Sequence, residues 1–286
     1  MTRVLVAGAT GRVGRHVVSQ LRARGTEVRG LVRGPDVAAD NAHGDLTQPE
    51  SLDPCLEGID TVFLVWTAPP DTVEPALERI LDRVRRIVFL SSGHTVPHPF
   101  FQAGQPNSIS ELHAKIETLI EASGCQWTFL RPGMFSANAL WWWAPQIRAG
   151  ADTIRWPHAA ASTAPIDERD IAAVAVRALC EDGHTRAEYV LTGPESLTQR
   201  QQLSTIGDAI GRQMRMEDIS PGEARLELRD VFTDSVADML LRAWAAADGL
   251  PALVTSTVAD VTGAPARTFR DWAIARAAEF SGTKLK

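Results

Sequence analysis

The sequence predicts a doubly wound, parallel α/β sheet followed by a smaller, mostly helical C-terminal lobe. Two observations carry this prediction. Over the first 134 residues, short β-branched and apolar runs alternate strictly with segments of helical periodicity, which is the pattern of parallel strands joined by right-handed crossover helices. A glycine-rich turn follows the first strand and opens the first helix, and ligands of such sheets bind beyond the carboxyl ends of the strands.

Each element of the first half follows from a local pattern. Strands are predicted at 3–7, 27–33, a segment ending in 44–46, 60–66, 87–92 and 126–132. Helices are predicted from Val13 to Gly25 and at 49–56, 72–86 and 108–123. The run 60–66 is continuously apolar, which is typical of a strand buried on both faces.

The alternation breaks after Met134. Asp167 predicts the start of a helix, and Thr198 with Gln201 three residues later forms a capping-box pattern. A further strand is predicted at 187–193, and more helix at 221–248 and 266–280. We therefore expect a sheet domain at residues 1–134, rejoined by about 164–193, and a substrate-binding lobe at 135–163 and 194–286.

Composition argues against several functional classes. The chain of 286 residues has a net charge of −6, whereas nucleic-acid binding requires a basic surface. Its cysteines, Cys55, Cys125 and Cys180, are widely spaced and odd in number, which indicates neither a disulfide scaffold nor a zinc site. Apolar runs fall far short of a membrane span and the N-terminus enters a strand at once, so we expect no membrane association and a cytoplasmic protein.

The turn after the first strand contains Gly8, Gly11 and Gly14. In this context one glycine permits a tight turn, another lets the backbone approach a pyrophosphate, and the third lets the helix pack closely on the strand. Phosphate oxygens then lie at the helix N-terminus, where unpaired N–H groups and the helix dipole favour anions. The turn therefore predicts a dinucleotide cofactor.

The end of the second predicted strand indicates which dinucleotide binds. An NAD-specific site presents an acid about 20 residues past the glycine turn, but Arg33 stands there and the first carboxylate is Asp36. A guanidinium matches a 2′-phosphate in charge and in bidentate geometry, which favours NADP(H) over NAD(H). The alternative is that Arg33 pairs with Asp36 on the surface. Arg12, inside the turn, either assists the cofactor or points to solvent.

Several motifs together resemble the NmrA-like branch of the atypical short-chain dehydrogenase/reductases. They are GATGRVG (8–14), the VR and GDL that follow the second and third strands, SS (91–92), the pair His113 and Glu117, SGxxxTxLRPGxF (123–135), PIDERDIA (165–172) and YVLTGPESLT (189–198). The resemblance extends from Val4 to about Thr198 and implies a Rossmann-type NAD(P)-binding domain. The family contains true reductases, including quinone reductases, and also regulators that bind the dinucleotide without turnover.

The resemblance also implies which residues contact the cofactor. These are Thr10, Gly11, Arg12 and Val13 at the pyrophosphate, Arg33 at the adenosine phosphate, Asp45 and Leu46 at the adenine, Val65, Trp66 and Thr67 along the ribose and nicotinamide, Pro132, Gly133 and Phe135 beside the nicotinamide, and Ser91.

The segment 107–133 lacks the tyrosine that a short-chain reductase uses as its acid, and the one tyrosine of the chain, Tyr189, lies far downstream. In active enzymes a Tyr-x-x-x-Lys pair precedes a glutamate. Counting back from Glu117 puts His113 in the lysine place and Ile109 in the tyrosine place. A second register pairs Glu111 with Lys115. Neither register restores the tyrosine.

His113 is the nearby side chain best suited to donate a proton near neutral pH, so it is the candidate catalytic residue. The alternative is that His113 braces the loop at Ser91 and Ser92. Loop 93–107 contains His94, His98 and several prolines, which predicts a mobile lid over the substrate rather than a metal site.

Aromatic residues predict a flat, apolar substrate. Trp141, Trp142 and Trp143 are adjacent, so they cannot all point one way, and at least one is expected to face the cleft or a partner. Packing between the two lobes is the alternative for each of them. Ser92 and Phe100 are the other expected substrate contacts.

The leading hypothesis is an NADPH-dependent oxidoreductase that transfers hydride to a flat apolar carbonyl or quinone without the usual tyrosine acid. Quinones and conjugated enones give a stabilised oxyanion that water can protonate, while the cofactor carries the chemistry. The alternatives are a non-catalytic redox sensor that controls a partner protein and an epimerase that uses the cofactor transiently. The tryptophan-rich lobe favours an enzyme, and the missing tyrosine favours a sensor.

Overall fold

The structure is a computed structural model that describes residues 2–34, 41–93, 95–96, 98–101, 108–229 and 232–281. Asp36, His94 and residues 102–107 of the predicted lid lie outside the described residues. Within the described part of the chain, no helix combines the length and the apolar character that crossing a bilayer requires. In the same residues, no group of three or more His, Cys, Asp or Glu side chains is arranged to hold a metal ion.

Strands and helices alternate up to Pro132, as the sequence predicts, except that no helix is described between the strands Glu27–Val32 and Asn41–His43. In chain order the described strands are β1 (Arg3–Ala7), β2 (Glu27–Val32), β3 (Asn41–His43), β4 (Thr61–Val65), β5 (Arg86–Leu90), β6 (Gln126–Pro132), β7 (Thr153–Trp156), β8 (Ser162–Thr163), β9 (Ala187–Leu191), β10 (Leu197–Thr198) and β11 (Arg215–Asp218). The described helices are α1 (Gly14–Ala23), α2 (Asp53–Leu56), α3 (Val73–Leu81), α4 (Ser108–Ala122), α5 (Asn138–Trp142), α6 (Ala144–Arg148), α7 (Glu168–Cys180), α8 (Gln199–Ile210), α9 (Pro221–Leu228), α10 (Asp234–Ala247), α11 (Thr257–Thr262), α12 (Phe269–Ala275) and α13 (Ala277–Ser281).

One parallel sheet organises the first half of the molecule. Among the described residues its seven strands lie in the order β3-β2-β1-β4-β5-β6-β9. The chain runs outward from β1 to β3 and then crosses to β4, so strand order reverses between β1 and β4, and a crevice opens at their carboxyl ends. Gly8 follows β1 at this point, and a Cβ atom on Gly8 would lie 3.1 Å from the Cβ of Val65 at the end of β4. The predicted fold class is confirmed.

Both faces of the sheet are buried. Side chains alternate along β1, so that Leu5 joins the core beneath α2, α3 and α4, whereas Val4 and Val6 join the core beneath α1 and α7. This two-sided packing holds the carboxyl ends of the strands in fixed positions. The loops that follow those ends are therefore the parts of the domain that can bind ligands.

Two helix starts predicted from the sequence are confirmed. The Asp167 carboxylate caps α7 by accepting a hydrogen bond from the backbone N–H of Arg169. Thr198 and Gln201 form a reciprocal capping box at the start of α8. Both caps satisfy N–H groups that the first turn of a helix leaves unpaired.

The C-terminal lobe has a core of its own, built around tryptophans. Trp142, Trp143, Trp156 and Trp244 meet with ring centroids 5.4–6.2 Å apart. Two small sheets, which the sequence analysis did not predict, complete the lobe: β7 pairs with β11 in parallel, and β8 pairs with β10 in antiparallel orientation. These strands are two or four residues long, too short to leave a periodic pattern.

Several predicted helices are shorter than expected or divided. The helix predicted at 72–86 ends at Leu81, the segment 221–248 contains α9 and α10, and the segment 266–280 contains α12 and α13. In addition, α11 lies inside the segment assigned to the lobe but packs on α7, and its Val258 joins the core of the sheet domain. Helical periodicity continues across breaks of a few residues, so the sequence pattern did not reveal them.

Candidate functional site

The glycine turn has the geometry that a dinucleotide requires. Gly8 has a φ of +77°, which favours glycine, and its carbonyl accepts a 2.8 Å hydrogen bond from the Gly11 N–H. A Cβ atom on Gly14 would lie 2.1 Å from the same Gly8 oxygen, so only glycine allows α1 to pack this closely on β1. Among the described residues no side chain caps α1, which leaves its N-terminus able to bind an anion.

A cleft of about 630 Å³ opens beside this turn, at the carboxyl ends of the strands. Its walls include Gly8, Thr10, Gly11, Arg33, Asp45, Leu46 and Thr67, all of which the sequence analysis assigned to the cofactor. The Arg33 side chain is exposed at the end of β2, and among the described residues it has no hydrogen-bond or ion-pair partner. It is therefore able to meet a phosphate.

Asp45 shapes the adenine end of the cleft. One of its carboxylate oxygens accepts a 2.9 Å hydrogen bond from the Thr47 N–H, and its own N–H donates to the Ser51 hydroxyl at 2.9 Å. These bonds close a tight turn that carries Leu46, which is buried. Asp45 thus serves the turn as well as the wall of the cleft.

Two residues assigned to the cofactor turn their side chains away from the cleft. Trp66 is buried in the core that also holds Val62 and Leu64, and its Nε1 donates to the Ala68 carbonyl at 2.8 Å. This placement follows from the period-two alternation of strand β4. Val13 is likewise buried against the sheet. Only the main chain of these two residues is available to a cofactor.

The Arg12 side chain is half-buried and contacts the lobe, so it does not point to solvent. Its guanidinium donates to the Ala137 carbonyl at 3.0 Å and lies 4.5 Å from the ring centroid of Trp141. Burial lowers the pKa of Arg12, although the nearby Glu168 carboxylate acts in the opposite direction. Arg12 therefore joins the glycine turn to α5 of the lobe.

A second, apolar cleft of about 680 Å³ follows β5 and β6. Its walls are Ser92, Gly93, Phe100, Phe101, Ile109, Ser110, Pro132, Gly133, Met134, Met239, Leu240 and Ala243. This set includes four residues that the sequence analysis assigned to cofactor or substrate: Ser92, Phe100, Pro132 and Gly133. Helix α10 of the lobe closes the side opposite the sheet.

Ser91 and Phe135 flank the apolar cleft. The Ser91 N–H donates to the Leu130 carbonyl at 2.8 Å, which extends the pairing of β5 and β6 by one residue. The Ser91 hydroxyl is buried and has no hydrogen-bond partner among the described residues. Phe135 is half-buried and forms a bridge with Ile166. A buried hydroxyl without a partner and a glycine turn that a Cβ would fill are both features that fit a bound dinucleotide.

The residues of the two registers considered for the Tyr-x-x-x-Lys pair lie on different sides of α4. Ile109 lines the apolar cleft, and Glu117, two turns later on α4, lies buried against the sheet. Lys115 instead pairs with Glu74 on the outside of the domain at 2.9 Å. Of the two registers, the one with Ile109 in the tyrosine place is therefore the one that faces the apolar cleft.

His113 lies between Ile109 and Glu117 on the same face of α4. Its ring packs edge-on against Phe89, with ring centroids 5.6 Å apart, and Phe89 is a fully buried core residue. This geometry is typical of a side chain that supports the helix against the sheet.

Arg131 forms a buried ion cluster that the sequence analysis missed. Its guanidinium binds the Glu117 carboxylate through two hydrogen bonds of 2.7 and 3.1 Å. It also pairs with Glu188 of β9 and donates to the Thr95 hydroxyl at 2.9 Å. Burial alone would lower the pKa of Arg131, but Glu117 and Glu188 together raise it. The cluster ties α4 and the loop after β5 to the end of β6, which positions both sides of the apolar cleft.

The side chains of the three adjacent tryptophans point in different directions, as expected for consecutive residues. Trp143 is 0% exposed and packs in the lobe core, so it is a core residue and not a wall of the substrate cleft. Trp142 is also buried, and it stacks on Trp156 with centroids 5.8 Å apart. Trp141 is 54% exposed, and its ring rests against Arg12.

Glu168 is a buried acid at the junction of the two lobes. Its carboxylate accepts hydrogen bonds from the Ala137 N–H at 2.9 Å and from Trp272 Nε1 at 3.2 Å. Burial raises the pKa of Glu168, and backbone hydrogen bonds offset this only in part. The side chain links α7 to α5 and α12.

Glu168 is expected to make the protein less stable as the pH rises. Because its pKa is higher in the folded chain than in the unfolded chain, the folded state holds the extra proton between those two values, and raising the pH through this window removes the advantage. Urea unfolding of the wild type and Glu168→Gln from about pH 4 to about pH 8 checks this. The variant should gain stability relative to the wild type as the pH rises. Glu195→Gln, at an exposed carboxylate, should show the same pH dependence of stability as the wild type. A Glu168→Gln variant that loses stability relative to the wild type as the pH rises would contradict the expectation.

The fold and the glycine-lined cleft define a dinucleotide-binding α/β protein. The chain matches the NAD(P)H-binding family over residues 8–182, more than half of its length, and it belongs to that family. It is 37% identical over 290 residues to the (4-alkanoyl-5-oxo-2,5-dihydrofuran-3-yl)methyl phosphate reductase of Streptomyces griseus, covering 97% of this chain and 99% of that protein. It is 34% identical over 295 residues to the NAD(P)H azoreductase of Xenophilus azovorans, covering 97% and 99%.

Solved structures share the fold over nearly the whole chain. The NADPH-dependent quinone oxidoreductase of Escherichia coli has a TM-score of 0.77 at 23% identity, covering 94% of this chain and 98% of that chain. The triphenylmethane reductase of Citrobacter sp. complexed with NADP(H) has a TM-score of 0.78 at 17% identity, covering 96% and 99%. The resemblance to the NmrA-like atypical reductases is confirmed. The protein is an NAD(P)H-dependent oxidoreductase.

Proposed function

We propose that the protein transfers hydride from NADPH to a flat, apolar carbonyl or quinone-type acceptor. The observation that carries this proposal is the apolar cleft after β5 and β6. Phe100, Phe101 and Met134 give it aromatic and thioether walls that suit a planar ring. Pro132 and Gly133 run along the same cleft, where the family resemblance puts the nicotinamide.

The side chains of the cleft favour acceptors whose reduced oxyanion is already stabilised. Ile109 stands in the tyrosine place and cannot donate a proton. Ser92 and Ser110 also line the cleft, and serine hydroxyls are weak acids that can orient an acceptor oxygen by hydrogen bonding. Bound NADPH would supply the hydride, and water would supply the proton to a delocalised oxyanion. The names of the relatives support this class, because an azo compound and a dihydrofuran carrying an oxo and an alkanoyl group are both conjugated acceptors.

An acceptor panel tests the proposal. We expect NADPH oxidation with quinones and conjugated aromatic carbonyls, and a kcat/KM lower by at least about 100-fold with simple aliphatic ketones, because a positioned general acid contributes roughly 10²–10⁴-fold. Steady-state rates with the same enzyme preparation give the comparison. Equal efficiency with cyclohexanone and a quinone would contradict the proposal, as would tight NADPH binding without reduction of any acceptor.

We propose that His113 positions α4 and does not donate the proton. Its edge-on packing against the buried Phe89 ring supports this role. In single-turnover reduction of a quinone, His113→Ala should therefore lose less than about tenfold in rate, well below the roughly 10²–10⁴-fold typical of a lost general acid. His113→Phe, which retains an aromatic ring without a titratable group, should recover most of that loss. A loss above about 100-fold in both variants would assign the proton to His113.

We also propose that Arg33 selects NADPH by meeting its 2′-phosphate. Its exposed position on the wall of the cleft beside the glycine turn supports this role. Arg33→Ala should weaken NADPH binding by at least about tenfold, since a charge-assisted hydrogen bond contributes roughly 1.5–3 kcal/mol, and should leave NADH binding nearly unchanged. Calorimetric titration of both cofactors measures this, with Arg270→Ala, an exposed arginine of α12, as the matched control. Equal affinity of the wild type for the two cofactors would rule out the selection.

A further inference from the structure

The lobe contains a further cavity, with about 740 Å³ of empty space, whose walls differ from those of the two clefts described above. We call it the lobe cavity. Three indole rings line it, from Trp141, Trp142 and Trp156, together with the apolar side chains of Pro145 and Phe232. None of these residues is needed to explain cofactor binding or the proposed reduction.

Packing against other aromatic side chains holds two of the indole walls of the lobe cavity in place. Trp142 and Trp156 are 7% and 5% exposed and pack against each other and against Trp244. Trp141 is half-exposed, and the guanidinium of Arg12 lies 4.5 Å from its ring centroid. A cavity with such fixed walls needs little ordering on binding a ligand, and indole faces present negative charge density.

The rim of the lobe cavity carries an excess of negative charge. Arg155 is the basic residue among its walls, and its guanidinium is shared by Glu227 at 2.6 Å, Glu223 at 3.1 Å and Glu217 at 3.7 Å. Hydrogen bonds from Ser220 lower the pKa of Glu223, so this carboxylate stays ionised at neutral pH. The three carboxylates around Arg155, set against the guanidinium groups of Arg155 and of Arg12 beside Trp141, leave one negative charge in excess next to the indole walls.

We propose that the lobe cavity is a second ligand site, and that it binds a planar aromatic cation. The indole faces attract both the rings and the positive charge of such a ligand, and the excess of one rim carboxylate adds a Coulombic attraction. A neutral ring of the same shape gains only the packing, and an aromatic anion meets the rim with like charge. The lobe cavity is distinct from the apolar cleft, so this proposal does not depend on the proposed reduction.

N-methylacridinium is a suitable probe, because its absorption and fluorescence respond to stacking on indole. At low ionic strength we expect it to bind the full-length protein at least about tenfold more tightly than neutral acridine, a difference of about 1.4 kcal/mol. Anthracene-2-sulfonate should bind more weakly than acridine. Binding should persist in the presence of saturating NADPH. Equal affinity for the cation and for acridine, displacement of the cation by NADPH, or no binding at millimolar probe would each overturn the proposal.

Variants locate the binding to this cavity. Gln146→Trp fills the cavity from a half-buried wall position, and Trp141→Ala removes the exposed indole; each should weaken the cation by at least tenfold. Glu227→Gln should weaken the cation while leaving acridine unchanged. Leu226→Ala, at an exposed position of α9, is the matched control. Urea unfolding midpoints identify any variant with a damaged fold. If one variant is damaged, the other two test the proposal. Undiminished cation binding in folded Gln146→Trp and Trp141→Ala would overturn the proposal.

Discussion

Gly11→Val is expected to abolish dinucleotide binding while leaving the fold nearly intact. Gly11 is exposed, so a larger side chain displaces no core residue. A Cβ atom there would already lie 3.0 Å from the Gly8 oxygen, and the valine methyl groups would occupy the surface that a pyrophosphate must approach. We expect NADPH affinity to fall by at least about 100-fold, equivalent to about 2.7 kcal/mol, in calorimetric titration.

Two other glycines provide controls for this result. Gly14→Val should damage the fold as well as binding, because a Cβ at Gly14 would lie 2.1 Å from the backbone oxygen of Gly8. Gly222→Val, at an exposed position where a Cβ meets nothing closer than 3.9 Å, should bind NADPH normally. If Gly11→Val bound NADPH as tightly as the wild type, the cofactor would have to bind elsewhere in the molecule.

Arg131→Met is expected to be among the most destabilising single substitutions in the sheet domain. The guanidinium is 7% exposed and holds Glu117, also 7% exposed, through two hydrogen bonds. Methionine fills a similar volume but leaves the Glu117 carboxylate buried without its counter-ion. Removing one partner of a buried ion pair costs about 3–5 kcal/mol, which urea unfolding followed by circular dichroism measures directly.

The double variant Arg131→Met/Glu117→Met distinguishes lost charge compensation from lost packing. With both charges gone the desolvation cost disappears, so the double variant should recover most of the stability that the single variant loses. Arg155→Met is the matched surface control, since its guanidinium also binds several carboxylates but is 44% exposed; such pairs contribute about 0–1 kcal/mol. If Arg131→Met and Arg155→Met had equal effects, the buried cluster would have no special role in stability.

Some side-chain positions could have been predicted from the sequence and were not. Trp66 follows Val62 and Leu64 at the period of a strand, so alternation alone assigns its side chain to the core rather than to the cofactor. The glycine turn and the capping box at Thr198 were predicted correctly, because each depends only on residues close together in the chain. Local geometry is what a single sequence determines best.

Other features depend on residues far apart in the chain. The sequence contains Glu117, Arg131 and Glu188, but no local pattern pairs them, and their cluster forms only because α4, β6 and β9 meet in the folded sheet. The burial of Trp143 also depends on distant residues, because Trp156 of β7 and Trp244 of α10 pack in the same core. The tertiary structure likewise distinguished the two registers of α4, because Ile109 lines the apolar cleft whereas Lys115 lies at the exposed surface.

By itself, the sequence determined the fold class, the dinucleotide turn and the lack of a tyrosine in residues 107–133, because periodicity, turn chemistry and residue identity are properties of short segments. Only the tertiary structure decided which aromatic residues line a cavity, which side of α4 faces the apolar cleft, and that Arg12 joins the nucleotide turn to the lobe. Those features arise from packing between distant segments. The free energy that selects one packing is shared among many contacts, and no single stretch of sequence carries it.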